Sequence, residues 1–349
     1  MTDLYRIAVA FIVTVLMTVI LEQLAPRIGM VDHPGGRKQH SREVPLVGGV
    51  AIFFGFIASM LGDETFYPAI WPLAAMAMMV SIGILDDIHE ISARYKLLGQ
   101  LVVAAVLVLS SDTVIESFGN LIGTGDLRPG ALGSLLTIFC LVGLVNALNM
   151  IDGLDGLAGG LGLVSAIALA TAANIAGQSQ SAFILAAFAA SIAGFLVFNL
   201  RFPWQRHARV FLGDAGSNLL GLVLAYFAVL VTQNSVGRLD ALPPMCAVWL
   251  IGLPILDTLT VMTRRIADRR SPFAAGRDHF HHILLDLGFS HTSTLWIMLA
   301  AASTLAICGL VGWRIQTPDW LMLWSAVGIL IVYYIWTRRV IRALNKGAH

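Results

Sequence analysis

The chain has 349 residues, of which 57% are hydrophobic and 12% charged, and its formal net charge is +1. Soluble domains carry roughly twice that share of charged residues, so the composition excludes an ordinary water-soluble enzyme. The net charge says nothing about partners; its sidedness does.

A bilayer-crossing helix needs about 20 apolar residues. Eleven candidate spans follow in chain order, at roughly 4–25, 46–62, 69–85, 97–112, 131–148, 157–175, 181–199, 210–232, 242–262, 293–312 and 319–337. The expectation is an all-α polytopic membrane protein, one bundle and one domain over residues 1–349, with backbone polar groups satisfied inside each helix. The first run shows no small-residue cleavage site and reads as a span rather than a signal peptide. Lys and Arg set the orientation. With the N-terminus outside, inner segments 26–45, 86–96, 200–209, 263–292 and 338–349 hold 18 of the 22 basic residues. Every motif below then faces the cytoplasm. Cys140, Cys246 and Cys308 fall in apolar runs and read as buried small hydrophobes.

The first inner loop is VDHPGGRKQHSREVPLVGG, residues 31–49, with Arg37, Lys38, His40 and Arg42 among glycines and prolines. It fits an orientation anchor, and it fits a phosphate-bearing ligand equally. The third run ends on Asp86 and Asp87. Neighbouring carboxylates repel, so a cation belongs beside them: a divalent ion, a lysine or both. Acids at a helix C-terminus also oppose the macrodipole. The segment ARYKLLGQ brings Arg94 and Lys96. The outer loop 112–130 is Gly-rich and is assigned no chemistry.

Between the fifth and sixth runs lies NALNMIDGLDGLAGG, with Asn146, Asn149, Asp152 and Asp155 at a three-residue step. A helical stretch would put neighbours on one face. A helix cap needs one acid, not two acids and two amides. After the seventh run, VFLGDAGS places Asp214 between two glycines at the start of a span. Such a carboxylate suits Mg²⁺, which takes one or two protein carboxylates together with phosphate oxygens. The ninth run contains Pro254 and Asp257, and loop 263–292 carries Arg265, Arg277, His279, His281 and His282. No cysteine or well-spaced carboxylate completes a zinc site there; imidazoles and guanidiniums beside an anionic substrate fit better. An ion-coupled carrier would also hold acids, but near the midplane and often with inverted repeats. Here the motif acids cluster at one face.

Taken together, RKQHSREVPLVGG, GILDD, NALNMIDGLDGLAGG, VFLGDAGS and SPFAAGRDHFHHI resemble, in order and across nearly the whole chain, the polyprenyl-phosphate N-acetylhexosamine-1-phosphate transferases, the family of WecA, TagO and MraY. Phe280 inside the histidine motif, and Glu90 where MraY-type enzymes carry a lysine, are similar to the WecA-like branch. The resemblance implies transfer of N-acetylglucosamine-1-phosphate from UDP-GlcNAc to undecaprenyl phosphate, with release of UMP. Another UDP-N-acetylhexosamine is the alternative donor. It implies a bacterial inner membrane, a cytoplasmic active site and the first membrane step of a cell-surface polysaccharide such as O-antigen. It implies Mg²⁺ as cofactor, replaceable by Mn²⁺, with Asp214 as its ligand and Asp86 and Asp87 as the catalytic pair. It implies substrate binding by Lys38, Asn149, Asp152, Asp155, Phe211, Arg265, His279, His281 and His282. The implied partners are the UDP-sugar, the lipid phosphate and the membrane, without nucleic acid; a homodimer is compatible with it.

Overall fold

A computed structural model of the protein describes residues 2–33, 43–61, 70–234, 241–272 and 276–347; Lys38 lies outside them. Thirteen helices occur among the described residues: α1 (Thr2–Ile28), α2 (Gly48–Met60), α3 (Ile70–His89), α4 (Ala93–Ser111), α5 (Gly133–Ile151), α6 (Leu157–Ile175), α7 (Ser179–Asn199), α8 (Gly213–Gln233), α9 (Pro244–Leu250), α10 (Gly252–Ala267), α11 (Phe280–Asp286), α12 (His291–Arg314) and α13 (Asp319–Gly347). Nine of them are long and apolar enough to cross a membrane. A two-stranded antiparallel pair, β1 (Val31–Asp32) and β2 (Val44–Pro45), is the one named sheet.

All eleven expected spans are helical, with two corrections. The second is the 13-residue α2, about 20 Å long at 1.5 Å per residue and short of a ~30 Å hydrocarbon core. The ninth is broken: α9 and α10 meet at an 86° bend. The cause is local. Pro254 cannot donate to the carbonyl of Leu250, and its ring clashes with a continuing helix. Gly252 supplies the freedom to turn.

The core is built round α8. In its most apolar stretch 89% of residues are buried, against 11% in α13 and 17% in α1. Leu219, Leu220, Leu222 and Val223 bury their side chains in different directions, as a helix enclosed on all sides requires. Lipid offers no hydrophobic drive between helices, so close packing of small residues holds them together. A Cβ on Gly83 of α3 would lie 2.2 Å from the Ala215 Cα, and one on Gly49 of α2 would lie 2.1 Å from the Gly216 nitrogen. Those approaches bring the ends of α2 and α3 against the start of α8. Backbone bonds continue the join: Phe211 donates to the Pro45 carbonyl at 2.8 Å, and Gly48 and Gly49 donate to Phe211 and Leu212 at 3.0 Å each.

At the opposite end the 112–130 loop is strapped down. The Gln233 amide oxygen accepts from Glu116 and Ser117 at 3.0 and 3.1 Å, and Asp319 accepts from Asn120 at 2.8 Å. Of the cysteines only Cys246 is buried; Cys140 and Cys308 lie on outward faces of their helices, where lipid meets a thiol as readily as the core does.

Gly83→Val should overpack the α3–α8 crossing and cost about 1–3 kcal/mol, read as a lower unfolding midpoint in detergent. Gly143→Val, which meets open space, should leave the midpoint unchanged. Equal behaviour of the two variants would disprove the crossing as the tight point.

Candidate active site

Four helix ends carry polar groups to one place. α3 ends there with Asp86, α4 begins with Lys96, α5 ends with Asn149, and α8 begins with Asp214. The Lys96 ammonium lies 2.7 Å from Asp86 Oδ2 and 2.6 Å from Asp214 Oδ2. Asn149 donates to Asp214 Oδ1 and, at 2.9 Å, to the Ser217 hydroxyl. Asp86 is buried and Lys96 14% exposed, whereas Asp214 is 32% exposed, so water screens the Lys96–Asp86 contact weakly.

Asp87, next to Asp86, does something different. Its two oxygens accept from the backbone nitrogens of Asp214 and Ala215, at 2.8 and 3.2 Å. It caps α8 from another helix and places a carboxylate at the positive end of the α8 dipole. Gly213 makes room: it adopts φ +72°, and a Cβ there would come within 2.7 Å of Asp87 Oδ2.

One turn deeper lies a neutral layer. Asn146 donates to Gln100 at 2.7 Å, and Gln100 to Asn218 at 3.5 Å. Gln100 and Asn218 are four residues beyond Lys96 and Asp214. The layer ties α4, α5 and α8 beneath the charges.

The turn after α5 completes the carboxylate half. Loss of water, with the charges of Asp214, Asp87 and Asp155 nearby, pushes Asp152 up to about 8. Asp155 is already engaged, with Arg201 Nε at 2.7 Å and the Ala208 nitrogen at 3.2 Å. Asn199 joins the two acid-bearing loops: it accepts from Gly156 at 2.7 Å and donates to the Val210 carbonyl at 2.8 Å. Phe211 is half-buried just ahead of Asp214.

The arginine–histidine loop forms the other half. Arg265, 1% exposed, grips Asp278 with Nε at 3.1 Å and Nη2 at 2.6 Å, and Pro272 with Nη1 at 3.0 Å. Its fork is thus committed to folding this loop. His279 is bonded to Asp257, and its ring stacks on that of His281 at 6.0 Å. His281 is 1% exposed, and neither of its ring nitrogens has a partner among the described residues. It reaches the carboxylate half: a Cβ on Gly153 would lie 2.3 Å from His281 Nε2. Burial pushes His281 well below the ordinary imidazole range, with His282, His279 and Arg277 adding to it. Burial and Arg277 also lower His282. Near neutral pH His281 therefore offers hydrogen bonds rather than charge.

The structure thus gathers Asp86, Asn149 and Asp214 around Lys96, sets Asp87 and Asp152 near Asp214, and brings His281 against Gly153, while Asp155 and Arg265 are tied to neighbouring loops. Sequence reasoning named Lys96 without giving it this part. The signal was available: a lone lysine in the first turn of an apolar helix faces the wrong end of the macrodipole. Asp257, an isolated acid inside a span, was a similar flag. Among the described residues no three His, Cys, Asp or Glu side chains form a closed metal cage. Asp86 and Asp214 are the carboxylates that converge, and two suffice for an ion that completes its shell with phosphate oxygens.

The His281 environment sets a pH dependence. The unfolded chain takes up this proton near 6.5 and the folded chain only below that. Stability is therefore level above about pH 6.5 and falls as the pH drops through the interval below it. Unfolding midpoints in detergent should decline from about pH 6.5 downward, by up to about 1.4 kcal/mol per pH unit, and His281→Gln should flatten the decline. A slope unaltered by that substitution would refute the assignment.

Comparison with known proteins identifies relatives of the whole chain. The model of glycosyl transferase family 4 matches residues 69–232. The undecaprenyl-phosphate alpha-N-acetylglucosaminyl 1-phosphate transferase of Salmonella typhi is 32% identical over 346 residues, 98% of this chain and 92% of that one. The protein of that name in Escherichia coli K12 is 32% identical over 98% of this chain and 91% of its own. That of Haemophilus influenzae is 32% identical over 97% and 94%. Identity at that level along almost the entire length, spanning every helix that contributes to the Lys96 centre, means that the chain belongs to glycosyl transferase family 4, among the undecaprenyl-phosphate alpha-N-acetylglucosaminyl 1-phosphate transferases.

Proposed function

We propose that the protein transfers N-acetylglucosamine-1-phosphate from UDP-GlcNAc to undecaprenyl phosphate, releasing UMP, at the cytoplasmic face of a bacterial inner membrane. The observation that carries the reading is the convergence of Asp86, Lys96, Asn149 and Asp214 at one end of a lipid-embedded bundle. A lipid phosphate arrives along the membrane and a sugar nucleotide from water; they can meet only at such an end.

The chemistry is a phosphoryl transfer. An oxygen of the lipid phosphate attacks the sugar-bearing phosphorus, a new P–O bond forms, and the bond to UMP breaks. The nucleophile is already largely ionised near neutral pH and gains little from a general base. What the reaction needs is alignment and neutralised charge. Asp86, Asp87 and Asp214 outnumber Lys96, so the centre has a negative surplus that repels a phosphate until a cation offsets it. Asp214 and Asp86 would hold Mg²⁺, which would supply the positive charge that a transferring phosphoryl group needs. Asp87 keeps the first turn of α8 in register, Lys96 bears positive charge toward the transferring group, and Asn149 fixes the Asp214 carboxylate. Phe211 offers a ring for the uracil. Arg265 holds Asp278, and with it the histidine loop, over the cleft.

Asp214→Asn should lower kcat by about a hundredfold or more, as when several kcal/mol of charge stabilisation are lost, and should shift the Mg²⁺ titration upward. UMP released from UDP-GlcNAc, in the presence of undecaprenyl phosphate, is the readout. Near-wild-type turnover with an unchanged titration would eliminate the metal role. Among UDP-N-acetylhexosamines the glucosamine donor should give the highest kcat/KM.

Orientation has its own check. A cysteine at Gly123 should react with an impermeant reagent on intact cells, and one at Arg269 only after permeabilisation. The reverse pattern would put the centre on the side that lacks UDP-sugars.

A further inference from the structure

Asp257 is a buried carboxylate that the transfer step above leaves without a task. It sits in α10, 0% exposed, two turns before Arg264. A carboxylate inside a span costs several kcal/mol unless its environment repays it in hydrogen bonds. Here three donors converge from three segments. His279 Nδ1 lies 2.7 Å from Oδ2. The Phe280 backbone nitrogen donates to Oδ1 at 3.0 Å, and the Tyr333 hydroxyl to the same oxygen at 2.8 Å. The loop, the first turn of α11 and the last helix all close on one side chain.

The consequence falls on the His279 ring. A carboxylate accepts and does not donate, so Nδ1 must carry its hydrogen toward Asp257. That fixes both the ring plane and the tautomer. Nε2 then points away from Asp257, and it has no hydrogen-bond partner among the described residues. The ring is further held by its parallel stack on His281, which abuts Gly153 on the carboxylate half. Phe280 packs edge-on against Tyr333 and Trp336, so the residue after the histidine is anchored as well.

We infer that Asp257 is a positioning residue for the transfer: it orients His279 so that Nε2 faces the sugar nucleotide. The inference rests on the reading of His279 as a substrate-binding residue. It adds what holds the imidazole in place and why an acid is kept inside an apolar helix.

Asp257→Asn preserves shape but presents an amide that can donate to Nδ1, which favours the opposite tautomer. It should lower kcat/KM for UDP-GlcNAc about ten- to a hundredfold, on the scale of a charged hydrogen bond. KM for undecaprenyl phosphate should stay as it was, whereas general loosening of the bundle would shift both. His279→Ala should give a loss of the same size. The double variant should be no worse than His279→Ala alone, because the two residues act through one ring. Tyr333→Phe, which leaves the imidazole contact intact, should cost less than about threefold.

Several outcomes would overturn the inference. Multiplying losses in the double variant would mean that Asp257 acts elsewhere. Full activity of Asp257→Asn beside an impaired His279→Ala would reject it and leave the His279 reading standing. Full activity of His279→Ala would remove that reading and the inference with it. Should Asp257→Asn not yield monodisperse protein, Asp257→Glu decides: it keeps the charge but displaces the carboxylate by one methylene, so it should fold and still lose kcat/KM for the nucleotide alone. Undiminished activity of that variant would equally overturn the inference.

Discussion

The ammonium of Lys96 between the carboxylates of Asp86 and Asp214 is the interaction on which the remaining structure depends. It joins the end of α3 to the starts of α4 and α8. Burying such charges is expensive, and removing one partner of a buried pair typically costs 3–5 kcal/mol. The sequence answers that cost with fit. Glycines at 83 and 49 let two helices touch the backbone of α8, Asp87 fastens the first turn of α8 to α3, and the Gln100 layer braces the helices underneath. Close packing here serves placement of charge as much as stability.

The site has two halves of different character. The carboxylate half is set at the ends of α3, α4, α5 and α8, where α8 enters the buried core. The histidine half hangs from α10, α11 and α13, and is shaped by ion pairs and aromatic contacts at the membrane surface. The bend at Ile251 and Gly252 makes this division: by turning away, α10 carries Arg264, Arg265 and Asp257 to a loop that leans back over the acids. His281 against Gly153 is the seam.

Much of this was legible in the sequence. Composition and hydropathy gave the helical bundle and the positions of its spans, because an apolar run of sufficient length has few alternatives in a bilayer. The motif acids were legible as acids out of place. What could not be read was pairing. Asp86 and Asp87 are neighbours of identical chemistry, yet one meets Lys96 and the other caps α8. That choice is made by helix rotation, to which sequence spacing is blind. Arg265 looked like a ligand-binding guanidinium, but Asp278, thirteen residues on, claims it. α2 is shorter than its apolar run because Leu46, Val47 and Leu61 flank it outside the helix, and the ninth apolar run hides a bend although Pro254 stands in it. Hydropathy counts residues and does not see where a helix turns.

The placement of the acids at helix ends also bears on how the chain enters a membrane. In the proposed orientation Asp86, Asp87, Asp152 and Asp214 all lie on the side where the ribosome works. None of them has to be carried through hydrocarbon, a passage that costs about 2.5–3.5 kcal/mol per charge at a helix centre. Each span can be threaded as an almost purely apolar segment, and the charged centre comes into being only afterwards, as the inserted helices find one another. Asp257 is the exception, and it lies just past the break in its span. The charged centre is thus a product of lateral assembly, formed only once the inserted helices pack together.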